Sequence, residues 1–313
     1  MTRPQVTHRT LVAFPGVPAI RIWSYDKLLR ARSLPRATWI FTDMDRLSPW
    51  ELELAAHVYR ELRSHGQRVL NDPARVCHRH ALLKRLKSAG INRFDVWRID
   101  ESESVDRWPV FLRTESAHRG PLTGLIEDAG QLRLEIEKAV NAGYPERDLM
   151  VVEYCAEPVH GNLFRKLATF RVGDRLVPTL AVHDNQWAAK YGQLGVAGTE
   201  LYREELAGLA ENRYADALNQ AFEIGHVEYG RADFALVSGA PQIYEINTNP
   251  TIGRVLEHPD PVRVESGRLW EGNFVAALVA IDTPSGAPTR IKDRILAKQR
   301  RRDFWMTRSR WVV

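Results

Sequence analysis

Apolar and polar stretches divide the N-terminal part of the chain into strands and amphipathic helices. The runs "TWIFTDMD" (38–45) and "QRVL" (67–70) predict strands, with a helix between them. Ser48 and Glu51 mark the start of that helix as a capping box, in which each side chain binds the other residue's backbone amide. A second helix follows and ends at Gly90. Strand, helix, strand, helix is the pattern of an open α/β sheet.

The pattern changes after about residue 91, where strands become more frequent. Strands are expected in "WPVFLR", "DLMVVEYCAE", "KLATFRVGDRLVPTLAV" and "GRADFALVSGAPQIYEINTNP", and helices in "DAGQLRLEIEKAVNAG", "TELYREELAGLAENRYADALNQAFEIG" and "GNFVAALVAID". The whole order predicts an α+β fold with an α/β N-terminal domain.

The segment 230–250 predicts a β-hairpin that carries three polar residues at strand positions. If Gly239-Ala240-Pro241 is the loop, Asp233 faces Asn247, and both share a face with Glu245. A slip of one residue would turn Asp233 to the other face. Two carboxylates this close require a cation, and with an amide oxygen beside them they suit Mg²⁺. A solvated strand face is the alternative interpretation.

Composition is that of a globular protein, with 44% hydrophobic and 27% charged residues in 313. The chain contains no apolar run of about 18 residues, so no transmembrane helix is predicted. Cys77 and Cys155 are the only cysteines, which excludes a cysteine zinc site and gives no sign of a disulfide framework. A cytoplasmic location is expected.

The basic character of the chain is concentrated near its C-terminus. Residues 290–310 contain nine Lys/Arg and two Asp, a net charge of +7, so the remainder of a chain whose total is +5 carries −2. This basic tail can contact an anionic partner. The pattern favours a solvated, frayed helix over such a contact.

Cations accompany the polar hairpin. Arg231 precedes Asp233 by two residues and projects to the same face in an extended strand. Arg113 ends a strand just before a loop that contains Gly120 and Gly124, where backbone amides can approach a phosphate. Neither GxxxxGK[ST] nor GxGxxG occurs in the chain.

The hairpin "GRADFAL…YEINTNPTIG" resembles that of the ATP-grasp superfamily, especially its carboxylate–amine ligases of the D-alanine–D-alanine ligase and ribosomal-protein glutamate ligase type. The motif ends at Pro250. The resemblance implies that its Asp233, Glu245 and Asn247 bind one or two Mg²⁺ ions, with Mn²⁺ as a substitute. It also implies a catalytic role for Arg231, which would steady the transferring phosphate.

The run "VVEYCAE" resembles the hinge that holds adenine in this superfamily. By this resemblance, Glu153, Tyr154 and Cys155 are ATP-binding residues. The family usually has lysine where this chain has Arg79 and Arg113, so phosphate binding with altered geometry is expected there.

Further side chains are candidates for the same site, each with an alternative. A solvated loop is the alternative for His118, a single lysine or arginine is more often a surface cation, and a lone tryptophan is more often part of the core. His118, Lys166 and Lys190 are expected to bind ATP, Arg165 to meet nucleotide or acceptor, and His183 and Trp187 to line an acceptor pocket.

The resemblance implies four parts: an N-terminal α/β domain (1–90), a small central ATP-grasp domain (91–155), a C-terminal ATP-grasp domain (156–283) and the basic tail (284–313). ATP would be held between the two ATP-grasp domains. The implied activity is ATP- and Mg²⁺-dependent ligation, in which a substrate carboxylate becomes an acyl phosphate and is coupled to an amine.

The substrates would be a small molecule or peptide bearing a carboxylate and an amine acceptor. Two alternatives stay open. One is a phosphotransferase on the same fold, and the other is a non-catalytic module that binds nucleotide or a partner.

Overall fold

The computed structural model describes residues 7–116, 120–254, 257–284 and 286–305, without the side chains of 302–305. The helices are α1 (Tyr25–Arg30), α2 (Pro49–Ser64), α3 (Arg79–Ser88), α4 (Ala129–Asn141), α5 (Thr199–Glu211), α6 (Ala215–Ile224), α7 (Pro261–Ile281) and α8 (Arg294–Trp305). The strands are β1 (Ser33–Leu34), β2 (Trp39–Ile40), β3 (Val69–Leu70), β4 (Val96–Arg98), β5 (Val110–Thr114), β6 (Leu149–Glu153), β7 (Pro158–His160), β8 (Leu163–Val172), β9 (Arg175–Asp184), β10 (Tyr229–Val237), β11 (Ala240–Asn247) and β12 (Thr289–Arg290). The predicted α+β class is confirmed.

The chain forms two compact units. The first contains residues 1–76, 248–253 and 275–313, and the second contains residues 77–247 and 254–274, as far as these are described. The predicted domain boundaries at residues 90, 155 and 283 stay predictions.

The first unit contains the predicted βαβ arrangement. Strands β2 and β3 pair in parallel, and helix α2 begins with the predicted capping box of Ser48 and Glu51. Strand β2 is shorter than the predicted strand 38–45, because Asp43 adopts a positive φ of 56° and Met44–Arg46 forms a 3₁₀ turn. A positive φ at a residue other than glycine interrupts an extended strand.

The C-terminal segment belongs to the core of the first unit. Strand β12 pairs antiparallel with β1, and Ile291 and Leu296 are buried among residues of α1 and α2. Helix α8 is therefore anchored by apolar side chains, whereas the sequence pattern favoured a solvated helix. The charge run concealed these contacts because its apolar residues are few and widely spaced.

The second unit contains two antiparallel sheets. Strands β4, β6 and β5 form a three-stranded sheet in that order, and α4 packs on it through Leu132 and Ala139. The larger sheet has the order β11-β10-β8-β7, with β9 also paired to β8. Helix α5 packs against β9, and helices α3 and α6 pack against β11.

Two predicted helices have different bounds in the structure. The segment after Thr199 forms α5 and α6 instead of one helix, because Asn212 takes a left-handed conformation with φ 48° and ends α5. Helix α7 begins at Pro261, well before the predicted "GNFVAALVAID", and its Trp270 and Phe274 stack in the core with ring centroids 5.6 Å apart. None of the described helices combines the length and the apolar character needed to cross a membrane.

The anchoring of α8 predicts the effect of shortening its buried side chain. Leu296 is 1% exposed, so Leu296→Ala should lower the free energy of unfolding by about 2–5 kcal/mol. The neighbouring Ile295 is 38% exposed and is the matched control, with an expected loss of about 1 kcal/mol or less for Ile295→Ala. Urea denaturation measures both values. Equal losses for the two variants would contradict the anchoring.

Candidate functional site

The hairpin of β10 and β11 has a shorter loop than the sequence predicted. Val237 pairs with Ala240, so Ser238 and Gly239 alone form the turn. Both have positive φ, 50° and 77°, as in the two-residue type I′ turns that match strand twist. The predicted loop Gly239-Ala240-Pro241 is therefore wrong, because Ser238 accepts a left-handed backbone and Ala240 and Pro241 join the strand.

A β-bulge compensates for the shorter loop. Near the turn Phe234 pairs with Ile243, whereas farther along Asp233 pairs with Glu245, so Tyr244 is the additional residue in β11. Such a bulge shifts the register by one residue. Without it, the change in loop length would have turned Asp233 to the face opposite Glu245.

The bulge places the three polar residues of the hairpin on one face, as predicted. Asp233 lies opposite Glu245, and Asn247 lies opposite Arg231. The predicted pairing of Asp233 with Asn247 is wrong by one pair of positions. In the observed pairing the two carboxylates are direct cross-strand neighbours, close enough to share one cation.

Backbone groups beside the bulge bind the loop that follows α3. The Asn92 side chain, 2% exposed, donates to the Ile243 carbonyl and accepts from the Ile243 amide, both at 2.8 Å. Gln242 accepts from the Arg93 amide at 2.7 Å. Asn92 thus replaces a strand partner, and no sequence motif identified it beforehand.

Two arginines converge on Glu245. Arg79 donates from Nη2 to Glu245 Oε2, and Arg113 Nη2 lies 3.5 Å from the same oxygen. Arg79 is the first residue of α3, and Arg113 lies on β5. The two arginines that were expected to bind phosphate are therefore together at one carboxylate.

Burial affects the charge of Arg113. Desolvation, and next the charge of Arg79, lower the pKa of Arg113 to about 10, while Glu245 and Asp233 oppose the decrease. Arg113 is therefore still a cation near neutral pH. It carries a charge that is poorly solvated, which favours contact with an anion.

Asp233 has two cations of its own. Arg231 forms a bidentate pair with it, from Nε at 2.6 Å and Nη2 at 3.1 Å, and Lys166 Nζ lies 3.4 Å away. Desolvation opposes the charge of Arg231, yet Asp233 and Glu245 raise the pKa of Arg231 above its usual range. Asp233 is only 3% exposed, so these pairs are shielded from water.

In these ion pairs of the described residues, four cations accompany two carboxylates, a difference of two positive charges. An excess of buried positive charge is costly without an anion. The arrangement is therefore suited to a polyanion such as a chain of phosphates. We name the four residues Arg79, Arg113, Lys166 and Arg231 the cation group.

The oxygen donors fit a hard divalent ion. Asp233, Glu245 and Asn247 offer carboxylate and amide oxygens on one face, and Mg²⁺ uses one or two protein carboxylates together with phosphate oxygens. In the described part of the chain no three His, Cys, Asp or Glu residues cluster as a metal site. The donor set is therefore of the kind that a phosphate ligand would complete.

The predicted hinge residues follow β6. Glu153 accepts from the Asp95 amide at 2.8 Å and lies 3.1 Å from Arg107 Nη2, so its carboxylate is held by the protein. The Cys155 carbonyl accepts from the Tyr244 hydroxyl at 2.6 Å. Burial raises the pKa of the Cys155 thiol to about 11, which makes it a poor nucleophile.

An aromatic group stands beside the hinge. Trp187 packs against Phe111, with ring centroids 4.8 Å apart, and against Tyr154 at 5.5 Å. Phe111 and Arg113 lie two residues apart on β5 and so share a face. Trp187 therefore lies near the predicted hinge. In the sequence, the spacing of Phe111 and Arg113 could have indicated that an aromatic side chain lies on the same strand face as the predicted phosphate-binding arginine.

Other predicted residues lie elsewhere. Lys190 is exposed beside the Tyr191 ring, 5.0 Å from its centroid, and His118 is outside the described residues. Arg165 lies opposite His183 on the face of the sheet away from Lys166, and pairs with Glu204 at 2.7 Å. His183 therefore lies on the sheet face opposite the carboxylates, because side chains alternate along a strand. Its place in an acceptor pocket stays a prediction.

No family model and no curated protein sequence matches the chain. Among solved structures, the chain is similar to the VanG D-Ala:D-Ser ligase from Enterococcus faecalis, with 15% identity and a TM-score of 0.43 over 69% of this chain and 65% of that one. It is also similar to the D-alanine–D-alanine ligase from Bacillus anthracis complexed with ATP, with 13% identity and a TM-score of 0.42 over 79% and 76%.

A third similar structure is the ATP-grasp ligase PsnB complexed with a phosphomimetic variant of its minimal precursor, Mg and ADP. It has 14% identity and a TM-score of 0.46, over 74% of this chain and 67% of that one. The match spans slightly less than two thirds of the VanG ligase. At these values the chemistry of this chain has to be argued from its own residues.

The close approach of the two hairpin strands predicts that Gly230 cannot be replaced. A Cβ there would lie 2.9 Å from the Asn247 carbonyl oxygen, so Gly230→Ala should displace Asn247 and cost about 1–3 kcal/mol. Gly208 in α5 has nothing within 4 Å of its added Cβ, and Gly208→Ala should stabilise the helix slightly. Thermal unfolding compares the two. A neutral Gly230→Ala would contradict the predicted clash.

His183 predicts a pH dependence of stability. It is 5% exposed, and desolvation, with the charges of Arg263 and Arg165, lowers its pKa to about 4. The unfolded residue titrates near pH 6.5, so between pH 6.5 and 4 the unfolded chain binds a proton that the folded chain does not.

The free energy of unfolding should therefore decrease as the pH falls from 6.5 towards 4, and part of that slope should vanish in His183→Gln. Urea denaturation at several pH values measures the slopes. Identical slopes in the two proteins would show that His183 is protonated normally in the folded state.

Proposed function

We propose that the chain is an ATP- and Mg²⁺-dependent ligase of the ATP-grasp type, which activates a carboxylate and couples it to an amine. The observation that carries the proposal is the facing pair Asp233 and Glu245, surrounded by the cation group with two positive charges in excess. Facing carboxylates that suit a divalent ion, among cations that suit phosphates, are what a metal–polyphosphate substrate requires.

The phosphates would contact Arg113, Lys166 and Arg231. Each of these cations at present has a carboxylate partner, and phosphate oxygens offer an alternative anionic partner of higher charge. Arg231 would be the catalytic residue, since its guanidinium can stabilise the charge of the phosphoryl group during transfer.

Asp233, Glu245 and Asn247 would hold one or two Mg²⁺ ions, or Mn²⁺ in their place, and a bound ion neutralises phosphate charge. The three side chains share one strand face, and their backbone is fixed by the pairing of β10 with both β11 and β8. Residues fixed in this way keep ligands in place without rearrangement.

Adenine would lie beside Glu153, Tyr154 and Cys155. The Trp187 ring lies next to those of Tyr154 and Phe111, and a flat base can pack against aromatic side chains. Binding of phosphate by His118 and Lys190 stays a prediction.

The reaction balances without a protein nucleophile. A carboxylate oxygen of the substrate attacks the terminal phosphorus of ATP, and ADP leaves. The amine nitrogen then attacks the acyl carbon, inorganic phosphate leaves, and the nitrogen loses a proton as the amide forms. The residues of the site act by position and charge.

The remaining expectations belong to the same proposal. The carboxylate substrate is a small molecule or peptide, the acceptor is an amine, and the location is the cytoplasm. The basic C-terminal segment would contact an anionic partner.

ADP release tests the proposal across a panel of amino acids and small peptides with ATP and Mg²⁺. Substrate-dependent release should fall about 100-fold or more in Glu245→Gln and Asp233→Asn, since each removes one of two facing carboxylates. Glu204→Gln is the matched control. It removes a carboxylate that pairs with Arg165, on the opposite face of the same sheet, and should keep full activity.

Product analysis separates the alternatives. An amide with inorganic phosphate indicates the ligase, whereas a stable phosphorylated product indicates a phosphotransferase. A chain that does not bind ATP under these conditions would contradict the assignment of the hairpin.

A further inference from the structure

Arg79 uses its guanidinium differently from the other members of the cation group. Its side chain is 8% exposed, and Nη1 donates to the carbonyls of Thr114 at 3.1 Å and Glu115 at 2.9 Å. Nη2 donates to Glu245. Both terminal nitrogens are therefore engaged by protein oxygens.

These contacts connect three separate elements. Arg79 begins α3, Thr114 ends β5 and Glu245 lies on β11. The planar fork of arginine can reach two carbonyls and a carboxylate at once, whereas a lysine ammonium is a point charge on a flexible stem. The presence of arginine here has a structural reason that phosphate binding alone does not supply.

Glu115 forms a second connection between the same elements. Its Oε1 accepts from the His80 amide at 3.1 Å, at the start of α3, and its Oε2 accepts from Arg98 Nη1 at 2.6 Å. The Glu115 amide also donates to the Asp148 carbonyl at 2.7 Å. The exit of β5 is thus fixed to α3 through Arg79 and Glu115, and to the segment before β6 through Asp148.

Arg113 provides the comparison. It reaches the same Glu245 oxygen by a longer contact of 3.5 Å. Its Nε, like that of Arg79, is buried without a hydrogen-bond partner among the described residues, so the two arginines differ in the contacts of their terminal nitrogens. A cation held by a longer contact can transfer to another anion at little cost. Arg79, with its three hydrogen bonds, would lose them all by such a move.

We propose that Arg79 is a positioning residue, which holds the Glu245 carboxylate and the exit of β5 in one fixed arrangement, and that Arg113 is the arginine that contacts phosphate. The inference rests on the proposed function for its ligands and on the contacts of Arg79 for its geometry. It replaces the expectation that both arginines serve the nucleotide in the same way.

The same substitution in both arginines tests the proposal. Arg79→Lys and Arg113→Lys keep the charge and remove the fork. In the protein without ligand, amide hydrogen exchange at residues 114–116 should become about tenfold faster in Arg79→Lys, because this segment loses its connection to α3. Arg113→Lys should leave that exchange unchanged.

Ligand binding distinguishes the two roles. With ADP at saturation, Mn²⁺ affinity, measured from the electron paramagnetic resonance signal of free Mn²⁺, should fall about tenfold or more in Arg79→Lys, as is usual when the support of a metal ligand is lost. ADP affinity without metal should change little. Arg113→Lys should show the reverse, with weaker ADP binding and nearly normal Mn²⁺ affinity in the ADP complex.

Either of two results would overturn the proposal. One is unchanged exchange at residues 114–116 in Arg79→Lys. The other is a loss of ADP affinity in Arg79→Lys equal to that in Arg113→Lys, with Mn²⁺ affinity kept, which would make Arg79 a phosphate ligand. If the unsubstituted protein binds neither ADP nor Mn²⁺, the proposed function fails, and the exchange of residues 114–116 alone decides whether Arg79 fixes the exit of β5.

Discussion

Two carboxylates on facing strand positions, one buried and one half-buried, influence how the second unit is built. Asp233 and Glu245 are cross-strand neighbours, and like charges so placed repel unless cations join them. Those cations come from four places, α3, β5, β8 and β10 itself, through the cation group. Elements far apart in sequence are therefore drawn to one hairpin face by charge as well as by apolar packing, which links the electrostatics of the site to the fold around it.

The cation group is held unevenly, and this matters for function. Arg231 donates hydrogen bonds to Asp233 from two nitrogens, and Arg79 donates to backbone carbonyls as well as to Glu245. Lys166 and Arg113 stand at 3.4 and 3.5 Å from their carboxylates. A site of this kind combines fixed charges, which keep the carboxylates in place, with charges that are free to meet an incoming anion. Preorganised groups of the first kind avoid reorganisation when a ligand binds.

The larger sheet also separates two environments. Lys166 points to the carboxylates, whereas its neighbour Arg165 lies with His183 on the face covered by α5. His183 is buried there with its ring 6.1 Å from that of Tyr202, and desolvation keeps it neutral. Because side chains alternate along a strand, adjacent residues lie in different environments: one contacts the carboxylates, and the other lies on the face that packs against α5.

The sequence by itself determined the α+β class and the capping box of α2, since local patterns of period and spacing specify these. It predicted the common face of Asp233, Glu245 and Asn247 from a loop one residue too long, and the three share a face because the bulge at Tyr244 offsets that difference. The tertiary structure decided the rest. The turn at Ser238 and the bulge at Tyr244 together set which residues face each other, and the bulge relies on Asn92, which is distant in sequence. Which arginine is tied to carbonyls and which is loosely held was likewise undetermined, because such contacts join residues of α3, β5 and β11 that meet only when the chain is folded.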